Sequence, residues 1–206
     1  MKKTLIALII FTLSFGVVGC TSDKEETTSN NNEVVTQAES KEKDKRSSDE
    51  MYELYASKVK DVEKLFKDNN FNYEFKNDKN NTKYDEKVTL VYEDSNKDAI
   101  DEISVANFGL VFDKKGEVLY IGSTMSVNIN DDEMKTKEFK FEDTEFFKLK
   151  NILISEVNNI DEINKKVNEG YKNLTSTKTI EFEHGNIKES FLLGSNKLAY
   201  TIIINP

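Results

Sequence analysis

The sequence is poor in the residues that several classes of protein require. Its 206 residues include one cysteine, one proline, one arginine and no tryptophan. A disulfide scaffold and a cysteine-rich zinc module both need several cysteines, so both are excluded. Phosphate recognition depends on arginine forks and clusters of positive charge, and the sequence has neither. We therefore expect no nucleic-acid partner.

Glycine is also scarce, with eight in the chain and only six after residue 48. These six are too scattered for a phosphate-binding loop, which excludes nucleotide binding through a P-loop or a Rossmann turn. No other cofactor motif is present, so we expect no cofactor. The one long apolar run lies at the N-terminus, which excludes a polytopic membrane protein.

Residues 1–20 have the three parts of a secretory signal. Lys2 and Lys3 precede an apolar stretch from Leu5 to Val18, and a small residue stands before Cys20. A membrane-spanning helix needs roughly 20 apolar residues, and this stretch is too short by about five. We therefore expect it to be cleaved rather than to stay as a span.

The segment Val17-Val18-Gly19-Cys20 resembles the lipobox of bacterial lipoproteins. The resemblance covers only the first 20 residues. It implies cleavage between Gly19 and Cys20, a diacylglycerol and a palmitate-like chain on Cys20, and a lipid anchor on the extracytoplasmic face of the cell membrane. At about 0.8 kcal/mol per buried methylene, two acyl chains hold a protein on a membrane durably. The alternative is a secreted protein with a free or buried thiol, which the position of this sole cysteine disfavours.

Residues 20–48 contain no aromatic side chain and no apolar periodicity, so we expect a disordered tether. A flexible coil of this length spans roughly 30 Å. The leader holds two lysines and no acid, so the rest of the chain has a net charge of −11. Bacterial envelopes are anionic, so charge would not hold this protein there and the lipid must.

The remaining residues, 49–206, are numerous enough for one domain. Ser47 and Glu50 form a capping-box pattern before apolar residues at helical spacing, which predicts a helix that ends at Asn69-Asn70. Alternating patterns then predict strands. The helix residues are Tyr52, Tyr55, Val59, Val62 and Phe66, and the strand residues are Phe71, Tyr73 and Phe75, then Val88, Leu90 and Tyr92.

The strongest hairpin pattern joins residues 103–112 to 118–129 through a glycine-containing turn. Asp143 is expected to cap a helix, and a second helix should follow Asn158-Asn159. Three strands are then expected to end the chain. The helices carry Phe146, Leu149, Leu153 and Val157, then Ile160, Ile163, Val167 and Tyr171, and the strands carry Ile180 and Phe182, then Phe191 and Leu193, then Leu198, Tyr200, Ile202 and Ile204.

This order of elements predicts an α+β fold, with helices on one face of an antiparallel sheet. Helices followed by strands occur twice, which raises the possibility of two related halves, 49–137 and 138–206.

Candidate catalytic residues are few. The only histidine, His184, lies in a Glu-His-Gly turn and is expected to be an exposed turn residue. Ser57 and Lys60 match the S-x-x-K motif of penicillin-recognising enzymes, but the companion motifs are absent. No spacing singles out a pair of carboxylates among the 31 acidic residues of 49–206.

A weak metal candidate is the series Asp94, Asn96 and Asp98, which matches the first three ligand positions of a calcium loop. Ala99 replaces the required glycine and Val105 replaces the bidentate glutamate, so a solvated turn is favoured. We expect the same of the acidic loop 130–133. Among aromatic residues, Tyr73, Tyr84 and Tyr92 are the candidates for a partner surface.

These patterns favour a membrane-anchored, non-enzymatic binding or interaction module with a protein partner. Two alternatives stay open. One is an envelope hydrolase that uses carboxylates, which requires a pocket with clustered acids. The other is a small solute-binding lipoprotein, although such receptors usually have two α/β lobes around a cleft.

Overall fold

The structure, a computed structural model, describes residues 45–76, 89–94 and 102–206. These residues form four α-helices, one 3-10 turn and seven strands. The helices are α1 (Ser48–Asp68), α2 (Asp131–Thr136), α3 (Glu145–Ile154) and α4 (Ile160–Lys172), and the 3-10 turn is Phe141–Asp143. The strands are β1 (Glu74–Lys76), β2 (Thr89–Glu93), β3 (Ile103–Phe112), β4 (Val118–Asn128), β5 (Lys178–His184), β6 (Ile187–Leu193) and β7 (Lys197–Ile204).

Helix α1 begins at the capping box that the sequence predicts. The Ser47 backbone N–H donates to Glu50 Oε2 at 2.7 Å, and the Glu50 N–H donates to Ser47 Oγ at 3.3 Å. These bonds satisfy two backbone donors that a helix start otherwise leaves free. The helix ends at Asp68 with Asn69 as its C-cap, as predicted.

All seven strands belong to one antiparallel sheet with the order β1-β2-β3-β4-β7-β6-β5. The first half of the sequence supplies the meander β1–β4, and the second half supplies β5–β7. The two meanders meet where β4 pairs with β7, and Thr124 lies opposite Thr201 there. Each meander follows helical sequence, so the two parts share an order of elements.

One face of the sheet is buried and the other is only partly exposed. Along β7, Leu198, Tyr200, Ile202 and Ile204 are buried, and the residues between them are half-buried. Helix α1 packs on β3 and β4, and α4 packs on β5 and β6. The buried side chains of the strands and helices form one hydrophobic cluster. The predicted α+β fold, with helices on one face of an antiparallel sheet, is confirmed.

The predicted hairpin is confirmed with β3 and β4 as its strands. Asp113 Oδ1 accepts hydrogen bonds from the backbone N–H groups of Lys115 at 2.7 Å and Glu117 at 3.0 Å. These donors, that of Glu117 foremost, hold the pKa of Asp113 below its ordinary value. Gly116 has φ +81°, a left-handed conformation that favours glycine at this position.

Several predicted boundaries are wrong. The N-cap of α3 is Thr144 rather than Asp143, because the Thr144 hydroxyl accepts from the Phe147 N–H at 3.3 Å while Asp143 ends the 3-10 turn. The helix stops at Ile154, so Val157 lies beyond it. The segment 130–133 is also not a loop throughout, because α2 starts at Asp131 after Asn130, whose carbonyl oxygen accepts from Met134 N–H at 3.0 Å.

The strand predicted over 71–75 is shorter than expected, since β1 begins at Glu74. Phe71 instead completes the end of α1, as described below. In the described ranges 45–76, 89–94 and 102–206, no helix has the length and apolar character to span a membrane.

Candidate functional site

The described residues line an open cavity of about 760 Å³ between the end of α1 and the start of α3. We call it the α1–α3 cavity. Its volume lies within the range typical of small-molecule and cofactor pockets. The apolar floor consists of Phe71, Ile103, Val127, Ile129, Met134, Phe139, Phe146 and Leu198, and the polar rim consists of Asn69, Glu102, Asn130, Lys137, Glu138, Lys140, Asp143, Thr144 and Glu145.

Phe71 reaches the floor through the way α1 ends. The Phe71 N–H donates to Phe66 O at 2.9 Å and the Asn70 N–H donates to Lys67 O at 3.0 Å, which is the Schellman pattern. Asn70 has φ 55°, the left-handed conformation that this pattern requires. The rings of Phe66 and Phe71 meet edge to face at 5.5 Å. The helix end therefore directs Phe71 into the core, and a continuing strand would not.

One wall of the cavity is the segment 137–141, which two asparagines of α4 hold in place. Asn168 accepts from the Phe139 N–H at 2.8 Å and donates to Phe139 O at 2.9 Å. Asn164 accepts from the Phe141 N–H at 2.7 Å. The two asparagines are four residues apart, so they lie on the same face of α4. This face of α4 therefore supplies hydrogen-bond partners to the backbone of the wall, as a neighbouring strand would.

The rim carries four carboxylates and two lysines. Glu145 is held by Asn69 Nδ2, which donates to Glu145 Oε2 at 3.0 Å, and by an ion pair with Lys148 at 2.5 Å. Glu102, Glu138 and Asp143 are exposed, as are Lys137 and Lys140. The rim is therefore net acidic around an apolar floor.

A buried polar network lies behind this floor. Lys150 Nζ donates to Glu189 Oε2 at 2.9 Å, and the Tyr200 hydroxyl donates to the same oxygen. Asn159 Nδ2 donates to Glu189 Oε1 at 2.9 Å and lies 3.1 Å from His184 Nε2. Lys150 and Glu189 are each 1% exposed. The carboxylate thus receives hydrogen bonds from three elements of the fold.

Burial changes the titration of this network. Desolvation lowers the pKa of Lys150, although its hydrogen bond to Glu189 acts in the opposite direction. Desolvation also raises the pKa of Tyr200 well above its ordinary value, and the neighbouring carboxylate of Glu189 adds to this effect. We expect Tyr200 to remain a neutral hydrogen-bond donor throughout the physiological pH range.

The network and the cavity floor share two elements. Phe146 of the floor precedes Lys150 by one turn of α3, and Leu198 precedes Tyr200 on the same face of β7. The rings of Phe146 and Tyr200 lie 5.8 Å apart. The Lys150–Glu189–Tyr200 bonds therefore fix the two elements that carry part of the floor.

The residues weighed as catalytic candidates, none of which was expected to be catalytic, do not line the cavity. His184 is not the exposed turn residue that we expected, since it ends β5, has a side chain only 30% exposed and lies 3.4 Å from Glu189 Oε1. The Ser57 hydroxyl donates to Leu54 O at 2.7 Å on the exposed face of α1. Lys60 is exposed on the same helix.

The aromatic candidates also differ from expectation. Tyr92 is core rather than surface, because it is 4% exposed and stacks on Phe71 with ring centroids 4.2 Å apart. Tyr73 is half-buried and its hydroxyl donates to Glu63 at 2.5 Å. Tyr84 lies outside the described residues.

Of the weak calcium candidate, Asp94 follows β2, while Asn96 and Asp98 lie outside the described residues. Gly19, Cys20 and the whole tether up to residue 44 lie outside them too. A search of the described part of the chain finds no group of three histidine, cysteine or acidic residues that could hold a metal ion.

Two features were not predicted from the sequence: the asparagine pair of α4 and the buried Lys150–Glu189 pair. The second had a signal in the sequence. Lys150 follows Phe146 by four residues on the apolar face of α3, and Glu189 occupies an apolar position between Ile187 and Phe191. Opposite charges on two core faces indicate a buried ion pair. The asparagine pair had no such signal, because asparagine is abundant throughout the chain.

Comparison with protein-family models, with curated proteins and with solved structures finds no match to this chain.

Proposed function

We propose that this chain is a lipid-anchored, non-enzymatic binding module on the extracytoplasmic face of a bacterial cell membrane, and that it binds its partner through the α1–α3 cavity. The observation that carries the binding role is the cavity itself, with its apolar floor and its charged rim. Apolar floors with a few polar groups at the edge are typical of binding sites.

The described lining offers no available hydroxyl nucleophile. Among the described lining residues the one hydroxyl is that of Thr144. It donates to Phe141 O at 2.7 Å and accepts from the Phe147 N–H, so it is already used to cap α3. A nucleophile needs a base within hydrogen-bond reach, and Thr144 has none among these partners.

The anchor part of the proposal depends on the lipobox-like segment that ends at Cys20. We expect Cys20→Ser to leave the precursor uncleaved and unlabelled by radioactive palmitate in growing cells, because the thiol that carries the lipid is absent. Thr12→Ser, in the apolar stretch before the lipobox, is the matched control and should be processed and labelled normally. A Cys20→Ser protein that is still cleaved and still takes up palmitate would disprove the anchor.

The binding part is tested with Nile red, a neutral apolar dye that fluoresces in apolar sites. We expect the full chain to bind it and Val127→Trp to bind it at least about tenfold more weakly, because the larger ring fills space above the floor. Val111→Trp places the same ring on the partly exposed face of the sheet and is the control. Equal binding by the two variants would show that the dye does not enter the cavity.

A further inference from the structure

The wall of the α1–α3 cavity carries backbone groups that make no hydrogen bond to any other residue that the structure describes. Phe139 uses both its N–H and its C=O on Asn168, and Phe141 uses its N–H on Asn164. In an extended chain, successive residues direct these groups to opposite sides. Lys140 is extended, with φ −123° and ψ 108°. The backbone groups of Glu138 and the N–H of Lys140 therefore point away from α4.

Those groups have no partner within the part of the chain that the structure describes. The backbone N–H and C=O of Glu138 and the N–H of Lys140 make no hydrogen bond there, and both residues are exposed. The Lys140 carbonyl is used by the Asp143 N–H at 3.2 Å. A short strip of two donors and one acceptor thus lies along the cavity wall. Such strips bind extended peptides by adding a strand.

The charges of the rim indicate which sign of charge a bound peptide should carry. The rim holds four carboxylates and two lysines, so acidic groups outnumber basic ones there. The carboxylates are Glu102, Glu138, Asp143 and Glu145, and the lysines are Lys137 and Lys140. Residues 49–206 as a whole hold 31 acidic residues and 22 lysines. Both the rim and the wider field therefore attract a cation and repel an anion.

We propose that the α1–α3 cavity binds an extended, cationic segment of a partner protein. This inference rests on the proposed function and specifies its ligand. Apolar side chains of the segment enter the floor, its lysine or arginine side chains lie against Glu102 and Asp143, and its main chain pairs with Glu138 and Lys140. The three contacts draw on separate observations: the apolar floor, the acidic rim and the free backbone strip.

The probes are two blocked hexapeptides that carry opposite charges at three matched positions, Ac-KLKFKL-NH2 and Ac-ELEFEL-NH2. We expect the full chain to bind the lysine peptide at least about tenfold more tightly than the glutamate peptide in isothermal titration, and this difference should shrink as salt is raised. Equal affinities, or tighter binding of the glutamate peptide, would overturn the proposal.

Two double variants test whether the carboxylates of the rim attract the lysine peptide. Glu102→Gln with Asp143→Asn should weaken binding of the lysine peptide about fivefold or more. Glu53→Gln with Glu181→Gln changes the net charge by the same amount at exposed positions away from the cavity and is the matched control. Equal losses in the two double variants would show that net charge, and not this rim, attracts the peptide.

N-methylation of the peptide tests the backbone strip without any change to the protein. Methylating the amides of one alternate set should abolish binding, and methylating the other set should have little effect, because only one edge of an added strand faces the wall. Equal effects of the two sets would rule out strand addition.

The dye experiment separates this proposal from the proposed function. If Nile red binds and is excluded by Val127→Trp while the lysine peptide does not bind, the cavity is a binding site for a neutral apolar ligand and the peptide proposal is wrong. If neither the dye nor the peptide binds, both proposals fail.

Discussion

At the scale of single residues, the most unusual feature is a lysine and a glutamate inside the core. Lys150 and Glu189 are each 1% exposed and pair at 2.9 Å. A buried ion pair contributes little net stability, because the desolvation of both charges offsets their attraction. Removing only one of the two residues is strongly destabilising, because the remaining charge stays buried without its partner. The pair therefore determines which substitutions the core tolerates.

We expect Lys150→Met to destabilise the protein by about 3–5 kcal/mol, since Glu189 then remains as an uncompensated buried charge. The double variant Lys150→Met with Glu189→Gln should recover a large part of this loss. The glutamine carries no charge, and its carbonyl oxygen still accepts from the Tyr200 hydroxyl. Urea denaturation measures both variants. A double variant as unstable as the single one would show that charge burial is not the cause.

At the scale of elements, helix α4 acts in place of a strand for the segment 137–141. Asn164 and Asn168 bind the backbone of Phe139 and Phe141, and Asn164 also donates to Glu142 Oε2 at 2.8 Å. That bond is the main reason why the pKa of Glu142 lies below its ordinary value. The cavity wall therefore depends on two side chains of an element that does not line the cavity.

We expect Asn168→Ala to cost about 1–3 kcal/mol of unfolding free energy, because the backbone N–H and C=O of Phe139 lose their partner. Binding at the cavity should weaken as well, since the wall is no longer held. Asn173→Ala removes a single exposed bond to Glu169 O at the end of the same helix and is the control. Urea denaturation and dye titration report the two effects, and similar losses in both variants would contradict this role.

Another element-scale contact is the approach of α4 to the sheet at Gly170. A Cβ at this position would lie 2.4 Å from Leu193 Cδ1 and 3.1 Å from Ile180 Cδ1. Glycine therefore lets α4 lie close to β5 and β6. Asn168 and Asn164, two and six residues earlier on α4, reach the wall from that position.

At the scale of the whole molecule, stability should depend on buried tyrosines at alkaline pH. Burial raises the pKa of Tyr55 and of Tyr200 far above the ordinary value of 10. A group whose pKa is raised on folding contributes stability that is complete below its unfolded pKa and is lost as pH rises above it. Lys150 acts in the opposite direction, because its lowered pKa makes stability rise with pH until it reaches 10.5.

With two tyrosines against one lysine, we expect the free energy of unfolding to fall as pH rises above 10. Each tyrosine contributes up to about 1.4 kcal/mol per pH unit there. Tyr55→Phe should make the fall less steep. Urea denaturation between pH 9 and 11 measures the slope. A slope that Tyr55→Phe leaves unchanged would show that this side chain does not titrate on unfolding.

Much of the fold follows from local signals. Ser47 and Glu50 are three residues apart, so the start of α1 needs no distant contact. The bounds of β3 agree with the alternation over 103–112, because a half-buried sheet face imposes a period of two on its strands. The same local reasoning misplaced the cap of α3, where Asp143 and Thr144 are both good capping residues and only the backbone geometry chooses between them.

Tertiary structure decided the candidate site. Phe71, Val127, Phe139 and Leu198 are far apart in the chain, and no spacing joins them before the helices pack on the sheet. The lipid anchor at Cys20 is the reverse case, since its chemistry depends on a few adjacent residues and stays a prediction from those residues alone. A processing signal depends only on neighbouring residues in the chain. A cavity and a buried ion pair exist only where distant parts of the chain pack together and exclude water.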